Sequence, residues 1–272
     1  MEELQKITSL DNQRLIGARR IRDGHGTGKM FVEGKRLAAE ALRSGVEIWE
    51  CFVSEKFVES SENAELLETA SAIARFTFEL PDRIFNTIAD TEHPQGIVLI
   101  AERPVGSSER IETALARPDL LPVVLLLFQI NNPSNLGAIL RTSEAAGVAG
   151  VIVTKESADV YSPKSLRASM GSAFRIPIWN EVSIEFALRW AKSRQIDATA
   201  TTTEGNESYS ALDWKKQRLL VFGSEAHGLS RNELEQVDQK IKIPMAASVE
   251  SLNLAVAAGI ILFEAKRQNL SD

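Results

Sequence analysis

Apolar residues along this chain fall into short bursts whose spacing changes character past residue 100. In the first part they follow helix and strand periods in turn. A helix capped by Ser9 is predicted through Leu15, Ile16 and Ala18 to about Ile21, followed by a short strand at Met30-Phe31-Val32 that stops at Gly34. Lys35 to Ser44 reads as a helix ended by Gly45, and Ile48–Val53 as a strand. A helix near Ala64–Ala74, a strand at Phe76–Glu79, a helix opened by Pro81 and a strand at Ile97–Ala101 complete the unit. Alternation of this kind predicts a small α/β sandwich over residues 1–103.

Residues 104–121 carry Pro104, Gly106, Ser107, Ser108 and Pro118 with little apolar periodicity, and are expected to form a linker holding at most a short helix at Ile111–Ala116. Past it, Val123 to Phe128 is an unbroken apolar run, as expected of a central parallel strand covered on both faces. Further buried strands are predicted at Val151–Val153, Ala198–Thr201, Leu219–Phe222 and Ile241–Ile243, with helices at Leu136–Ala146, Ile184–Ser193 and Leu252–Gln268. Residues 122–272 are therefore expected to be a doubly wound parallel sheet, which binds ligands in loops at the carboxyl ends of its strands.

Composition narrows the classes. The 272 residues are 44% hydrophobic and 25% charged, an ordinary globular balance. No apolar run spans a bilayer, and the Met1-Glu2-Glu3-Leu4 start lacks a basic region followed by an apolar stretch, so neither a membrane segment nor a secretory signal is expected. Cys51 is the only cysteine, which excludes an intramolecular disulfide and fits a cytoplasmic protein. His25, His93 and His227 are isolated, so no metal site is expected. The stretch Gly24-His25-Gly26-Thr27-Gly28-Lys29 resembles a phosphate loop, but Met30 follows Lys29 and a basic helix precedes it, so it fails that template. No Gly-x-Ser-x-Gly elbow is present, which removes the usual hydrolase reading.

Net charge is −6, yet Gln13–Arg36 holds seven basic residues against two acidic ones. Phosphate attraction is local, so this patch is a candidate RNA surface on an acidic protein; a solvated helix face is the plainer alternative. Arg19, Arg20, Arg22 and Lys29 are its expected RNA contacts, with Arg167 in the second half.

Three strand-end loops carry candidate chemistry. The first runs from Asn131 to Thr142, where Asn135 is placed to cap a helix carrying Arg141; a helix N-terminus and a guanidinium together suit a phosphate. The second, Phe222 to Leu229, sets Glu225 between Gly223 and Gly228. The third places Ser251 and Asn253 before a helix apolar on nearly every face, which implies burial, here against a second copy of the chain.

Together these loops resemble the signature motifs of the SpoU/TrmH family of SPOUT RNA methyltransferases. Asn-x-Gly-x-x-x-Arg matches Asn135, Gly137 and Arg141; Gly-x-Glu-x-x-Gly matches Gly223, Glu225 and Gly228; and Ile-Pro-Met with Ser-Leu-Asn matches Ile243–Met245 and Ser251–Asn253. A further family-like stretch, Ser162-Pro163-Lys164 and Arg167 to Gly171, lies between the first two motifs. The N-terminal unit, through Phe31-Val32-Glu33-Gly34, resembles substrate-binding domains akin to ribosomal proteins of the kink-turn type.

The resemblance implies a trefoil-knotted C-terminal domain, a homodimer through the last helix, and methyl transfer from S-adenosyl-L-methionine to a ribose 2′-hydroxyl of rRNA or tRNA. It implies catalytic roles for Arg141, Asn135, Glu225, Ser251 and Asn253, and cofactor contacts from Thr201, Gly223, Ile243, Met245 and Leu252. A guanidinium holds its proton, so Arg141 is read as a clamp on the phosphate beside the target ribose rather than as a base. A non-catalytic RNA-binding factor and a base methyltransferase are the alternatives.

Overall fold

The computed structural model describes residues 4–26, 28–246 and 249–270, so Thr27 of the glycine-rich stretch and Ala247 and Ser248 of the third motif region lie outside the described residues. The chain divides into two compact units. One holds residues up to Val105 together with Tyr161–Phe174; the other holds Gly106–Val160 and the rest of the chain from Arg175.

The first unit is built from β1 (Gln5–Lys6), α1 (Gln13–Arg22), β2 (Lys29–Glu33), α2 (Lys35–Ser44), β3 (Ile48–Ser54), α3 (Glu55–Glu59), α4 (Ala64–Ile73), β4 (Phe76–Leu80), α5 (Asp82–Ile88) and β5 (Ile97–Glu102). Its sheet has the order β1-β4-β3-β5-β2, with β1, β4 and β3 parallel and β5 antiparallel to both its neighbours. In α2, Leu37, Ala38, Ala41 and Leu42 recur at helical spacing and are buried, and Gly45 ends the helix at φ 75° as the sequence predicts. Two expectations change. The first helix is capped by Asn12, whose Oδ1 accepts from the Arg14 amide at 2.9 Å, while Ser9 instead accepts from Asp11. β1 was not foreseen: its two exposed polar residues give no strand signal, and pairing with β4 alone makes it a strand.

The second unit opens with α6 (Ser108–Leu115), β6 (Leu121–Leu127), α7 (Pro133–Ala146) and β7 (Val148–Thr154). The chain then gives α8 (Pro163–Ser169) to the first unit and passes through α9 (Ser172–Arg175). It returns with β8 (Ile178–Val182), α10 (Ile184–Ser193), β9 (Asp197–Thr201), β10 (Glu207–Ser208), β11 (Arg218–Phe222), α11 (Arg231–Leu234), β12 (Gln239–Lys242) and α12 (Leu254–Asn269). The sheet is parallel throughout, in the order β10-β12-β9-β11-β6-β7-β8. The five strands expected from apolar runs occupy its middle, and the two that were missed, β8 and β10, are its edges. Edge strands keep polar positions such as Asn180 and Glu181, so they lack the continuous run that marks a central strand.

The stretch expected as a linker is structured. Ile111 and Ala114 of α6 are buried in the same core as Val124, Ala149 and Ile152, and a Cβ on Gly150 would meet the Ile111 side chain at 2.8 Å. The short helix allowed for at Ile111–Ala116 is α6, three residues longer at its start, and it belongs to the core of the second unit. The last helix is also corrected. Ala258, Ile261, Leu262 and Ala265 bury against their own unit, while Val256 and Phe263 are each 51% exposed, so it has two faces rather than one continuous apolar surface.

Candidate active site

Asn132, not Asn135, caps α7: its Oδ1 accepts from the Ser134 amide at 2.9 Å, and Pro133 follows at the first helical position. Asn135 therefore sits inside the first turn with its side chain free for other work. Its Nδ2 donates to Glu225 Oε1, and its Oδ1 accepts from Asn253 Nδ2 at 3.1 Å. The other Glu225 oxygen accepts from the Asn132 amide at 3.1 Å. Asn253 in turn caps α12, its Oδ1 accepting from the amides of Ala255 and Val256 at 2.9 and 3.3 Å. One continuous hydrogen-bonded row thus joins the three loops, and it fixes which way each amide points.

The Glu225 loop is a tight turn. Ser224 and Gly228 exchange backbone hydrogen bonds at 3.0 and 2.9 Å, and Gly228 has φ 65°. A Cβ on Gly223 would fall 2.4 Å from the Gly228 carbonyl carbon, so only glycine lets the strand end pass this close to the turn.

Beside the row lies a cleft of about 700 Å³ lined by Asn135, Thr201, Gly223, Glu225, Leu252 and Asn253 among others. An adjoining apolar pocket of about 130 Å³ is lined by Ile243, Met245, Leu252 and Ile261. Ser251 borders both spaces. All five residues predicted for the cofactor thus border one or the other, at the carboxyl ends of β9, β11 and β12. The volume lies in the roughly 300–1,000 Å³ range of small-molecule sites. An apolar slot for a heterocycle beside a carboxylate-bearing cleft fits the donor set that a cationic nucleoside cofactor needs. Sequence reasoning missed Asn132 and Glu204 here; the Asn-Pro pair at a helix start was a readable capping signal.

Arg141 stands apart from this group. It is exposed, lies two turns into α7, lines neither space, and has no hydrogen-bond or ion-pair partner among the described residues.

The basic patch of the first unit resolves into unlike residues. Arg22 gives its Nη1 to the carbonyls of Thr87, Ile88 and Ala89 at 3.0–3.2 Å and its Nε to Asp23 at 2.8 Å, so it closes the C-terminus of α5 and is not a free cation. That pairing holds the Asp23 carboxyl below the usual range. Arg19 is spent on the carbonyls of Leu15 and Leu10 at 3.2 and 2.5 Å. Lys29 lies over the Trp49 ring at 3.9 Å, which still leaves an ammonium to offer. Arg20 is exposed and unpaired among the described residues. Arg167 belongs to the first unit, where Nη2 pairs with Asp90 at 2.7 Å and Nη1 has no partner. Arg22→Ala is accordingly expected to lower the melting temperature, with a loss of about 0.5–1.5 kcal/mol from the exposed and half-buried carbonyls it leaves uncapped, whereas Arg20→Ala should leave it unchanged in a thermal melt.

A parallel α/β sheet with a polar, preorganised cleft at the carboxyl ends of its strands places the protein among the α/β folds that bind nucleotide-like ligands there. The sequence model of the SpoU rRNA Methylase family matches residues 122–263, and the chain belongs to that family. Residues 13–99 match the MRM3-like substrate binding domain. The chain is similar to the 23S rRNA (uridine(2479)-2'-O)-methyltransferase of Streptomyces viridochromogenes, at 33% identity over 95% of this chain and 89% of the relative. Its fold is similar to the AdoMet-bound rRNA methyltransferase of Sinorhizobium meliloti, with a TM-score of 0.82 at 31% identity, covering 97% of this chain and 98% of that one. The SpoU methyltransferase AviRb from Streptomyces viridochromogenes, in complex with AdoMet, gives a TM-score of 0.82 at 30% identity over 96% and 99% of the two chains.

Proposed function

We propose that this protein transfers a methyl group from S-adenosyl-L-methionine to a ribose 2′-hydroxyl of RNA, rRNA or tRNA. The observation that carries the reading is the row Glu225–Asn135–Asn253, which ties together three family motifs at the mouth of a cofactor-sized cleft. When bound, the cofactor supplies a methyl group already made electrophilic by its sulfonium.

The chain's own residues then position and polarise. Thr201, Gly223 and Leu252 border the larger cleft and Ile243 and Met245 the apolar slot, so these five hold the cofactor. Asn135, Glu225 and Asn253 brace one another, and Ser251, which borders both spaces, has no hydrogen-bond partner for its hydroxyl among the described residues. Arg141, exposed and unpaired, clamps the phosphate beside the target ribose and favours charge developing on the attacking oxygen. In the first unit Arg20 and Lys29 offer RNA the least committed cations; Arg19, Arg22 and Arg167 already hold partners within that unit and would share them with a phosphate.

Family membership also supports a trefoil knot in the second unit and a kink-turn-type likeness in the first. Among the described residues no helix is long and apolar enough to cross a membrane. We place the reaction in the cytoplasm, where Cys51, buried and with its thiol pushed up to about 12, would stay reduced and inert.

Calorimetry with S-adenosylmethionine, and mapping of 2′-O-methyl sites in RNA from cells with and without the gene, test the reading. One site lost on deletion is the expected result; no cofactor binding and an unchanged map would overturn it. The half-exposed Val256 and Phe263 on α12 support a homodimer through that helix. Replacing both with Asp should convert a dimer to a folded monomer in sedimentation, whereas Ile261→Asp would damage the fold itself, since Ile261 is buried.

A further inference from the structure

Among the described residues the walls of the 700 Å³ cleft carry three carboxylates, Glu204, Glu225 and Glu250, with His227 and no lysine or arginine; Lys242 borders only the smaller pocket. Glu225 is already committed, with both oxygens accepting hydrogen bonds from Asn132 and Asn135. The other two are not. No hydrogen bond or ion pair with a described residue occupies the side chain of Glu204 or Glu250.

Glu204 is nonetheless held in place by its backbone. Its amide donates to Thr202 Oγ1 at 3.2 Å, and the Gly205 amide donates to the Thr202 carbonyl at 3.3 Å. Gly205 is packed so closely on β12 that a Cβ there would lie 2.4 Å from the Ile241 carbonyl carbon. The carboxylate is thus carried on a turn pinned to the sheet. Glu250 immediately precedes the Ser251–Asn253 segment, which also lines the cleft.

We propose that Glu204 and Glu250 make this cleft charge-selective, favouring a cofactor with a cationic centre over one whose centre is neutral. The proposal rests on the methyltransferase reading above. Transfer of the methyl from sulfur to the ribose oxygen, with loss of the hydroxyl proton, leaves the sulfur as a neutral thioether. The donor and the spent cofactor differ by that one positive charge and one methyl group. Two unpaired carboxylates on the cleft walls attract the donor and have no such hold on the thioether product. The cleft therefore discriminates against its own product by charge, and exchange of spent for fresh cofactor follows.

The test needs no turnover. S-Adenosylhomocysteine carries the neutral thioether; sinefungin carries an amine where the sulfonium would be and cannot donate a methyl group. Both are titrated calorimetrically into the full-length protein and into Glu204→Gln, Glu250→Gln and the double variant, at low and high salt. An exposed ion pair shifts an equilibrium by a factor of roughly 1.4 to 5. The double variant should therefore lower the preference for sinefungin over S-adenosylhomocysteine about fivefold, leaving S-adenosylhomocysteine affinity within about twofold. In the unaltered protein the preference should shrink as salt shortens the screening length. A preference unchanged in the double variant overturns the proposal, as does a parallel loss of both ligands. If the unaltered protein binds neither compound, the cofactor reading itself fails, and with it this inference.

Discussion

Arg141→Ala is expected to slow methyl transfer by about 10²–10³-fold, the usual cost of removing one preorganised donor from developing charge. Cofactor affinity should stay within a few-fold. The split follows from position: Arg141 lies on α7 outside the lining of both spaces proposed for the cofactor, and no hydrogen bond or ion pair among the described residues occupies its guanidinium. Single-turnover kinetics with saturating RNA, alongside cofactor calorimetry, separates the two quantities. Arg141→Lys distinguishes a planar clamp from a point charge, since lysine keeps the charge but cannot make two parallel hydrogen bonds to a phosphate. Normal turnover in Arg141→Ala would remove the residue from the mechanism. A matching loss of cofactor binding would instead place it among the cofactor contacts.

The candidate residues stand out in the sequence because they are polar where their neighbours are not, and their roles are read from the resemblance to the family motifs. Gly223, Glu225 and Gly228 follow an apolar strand, and Ser251 and Asn253 precede an apolar helix, so each stands out against its local pattern. What the one-dimensional pattern lacked was partnership. Asn135 read as a helix cap because Asn near a helix start usually is one; the cap is Asn132, which frees Asn135 to bridge two other loops. Arg19 and Arg22 read as an exposed patch because charge clustering does not show which guanidinium already faces backbone carbonyls. The central strands announced themselves through burial on both faces. The edges β8 and β10, and β1 of the first unit, are strands by pairing with a neighbour, which no local run encodes. Segment Tyr161–Phe174 is the sharpest case. It falls within the span matching the methylase family, yet it packs with the first unit, and nothing in its composition marks that departure.

Gly223→Ala should distort the cleft proposed for the cofactor. The new Cβ would fall 2.4 Å from the Gly228 carbonyl carbon and 2.6 Å from the Leu229 nitrogen, both backbone atoms that no rotamer change can move aside. The Ser224–Gly228 turn must shift, carrying Glu225 away from Asn132 and Asn135 and opening the row that leads to Asn253. Overpacking of this kind typically costs about 1–3 kcal/mol. If the turn carries that strain into the bound state, cofactor affinity falls roughly 5- to 150-fold. Gly228→Ala is the control: it is strained by its φ of 65°, but no atom lies within 4 Å of its Cβ, so the turn can keep its place. Thermal melts and cofactor calorimetry on the pair decide the matter. The expected pattern is similar melting losses with cofactor binding damaged only in Gly223→Ala. Equal binding by both variants would mean that the close approach at Gly223 serves the fold alone and that the position of Glu225 does not govern the cleft.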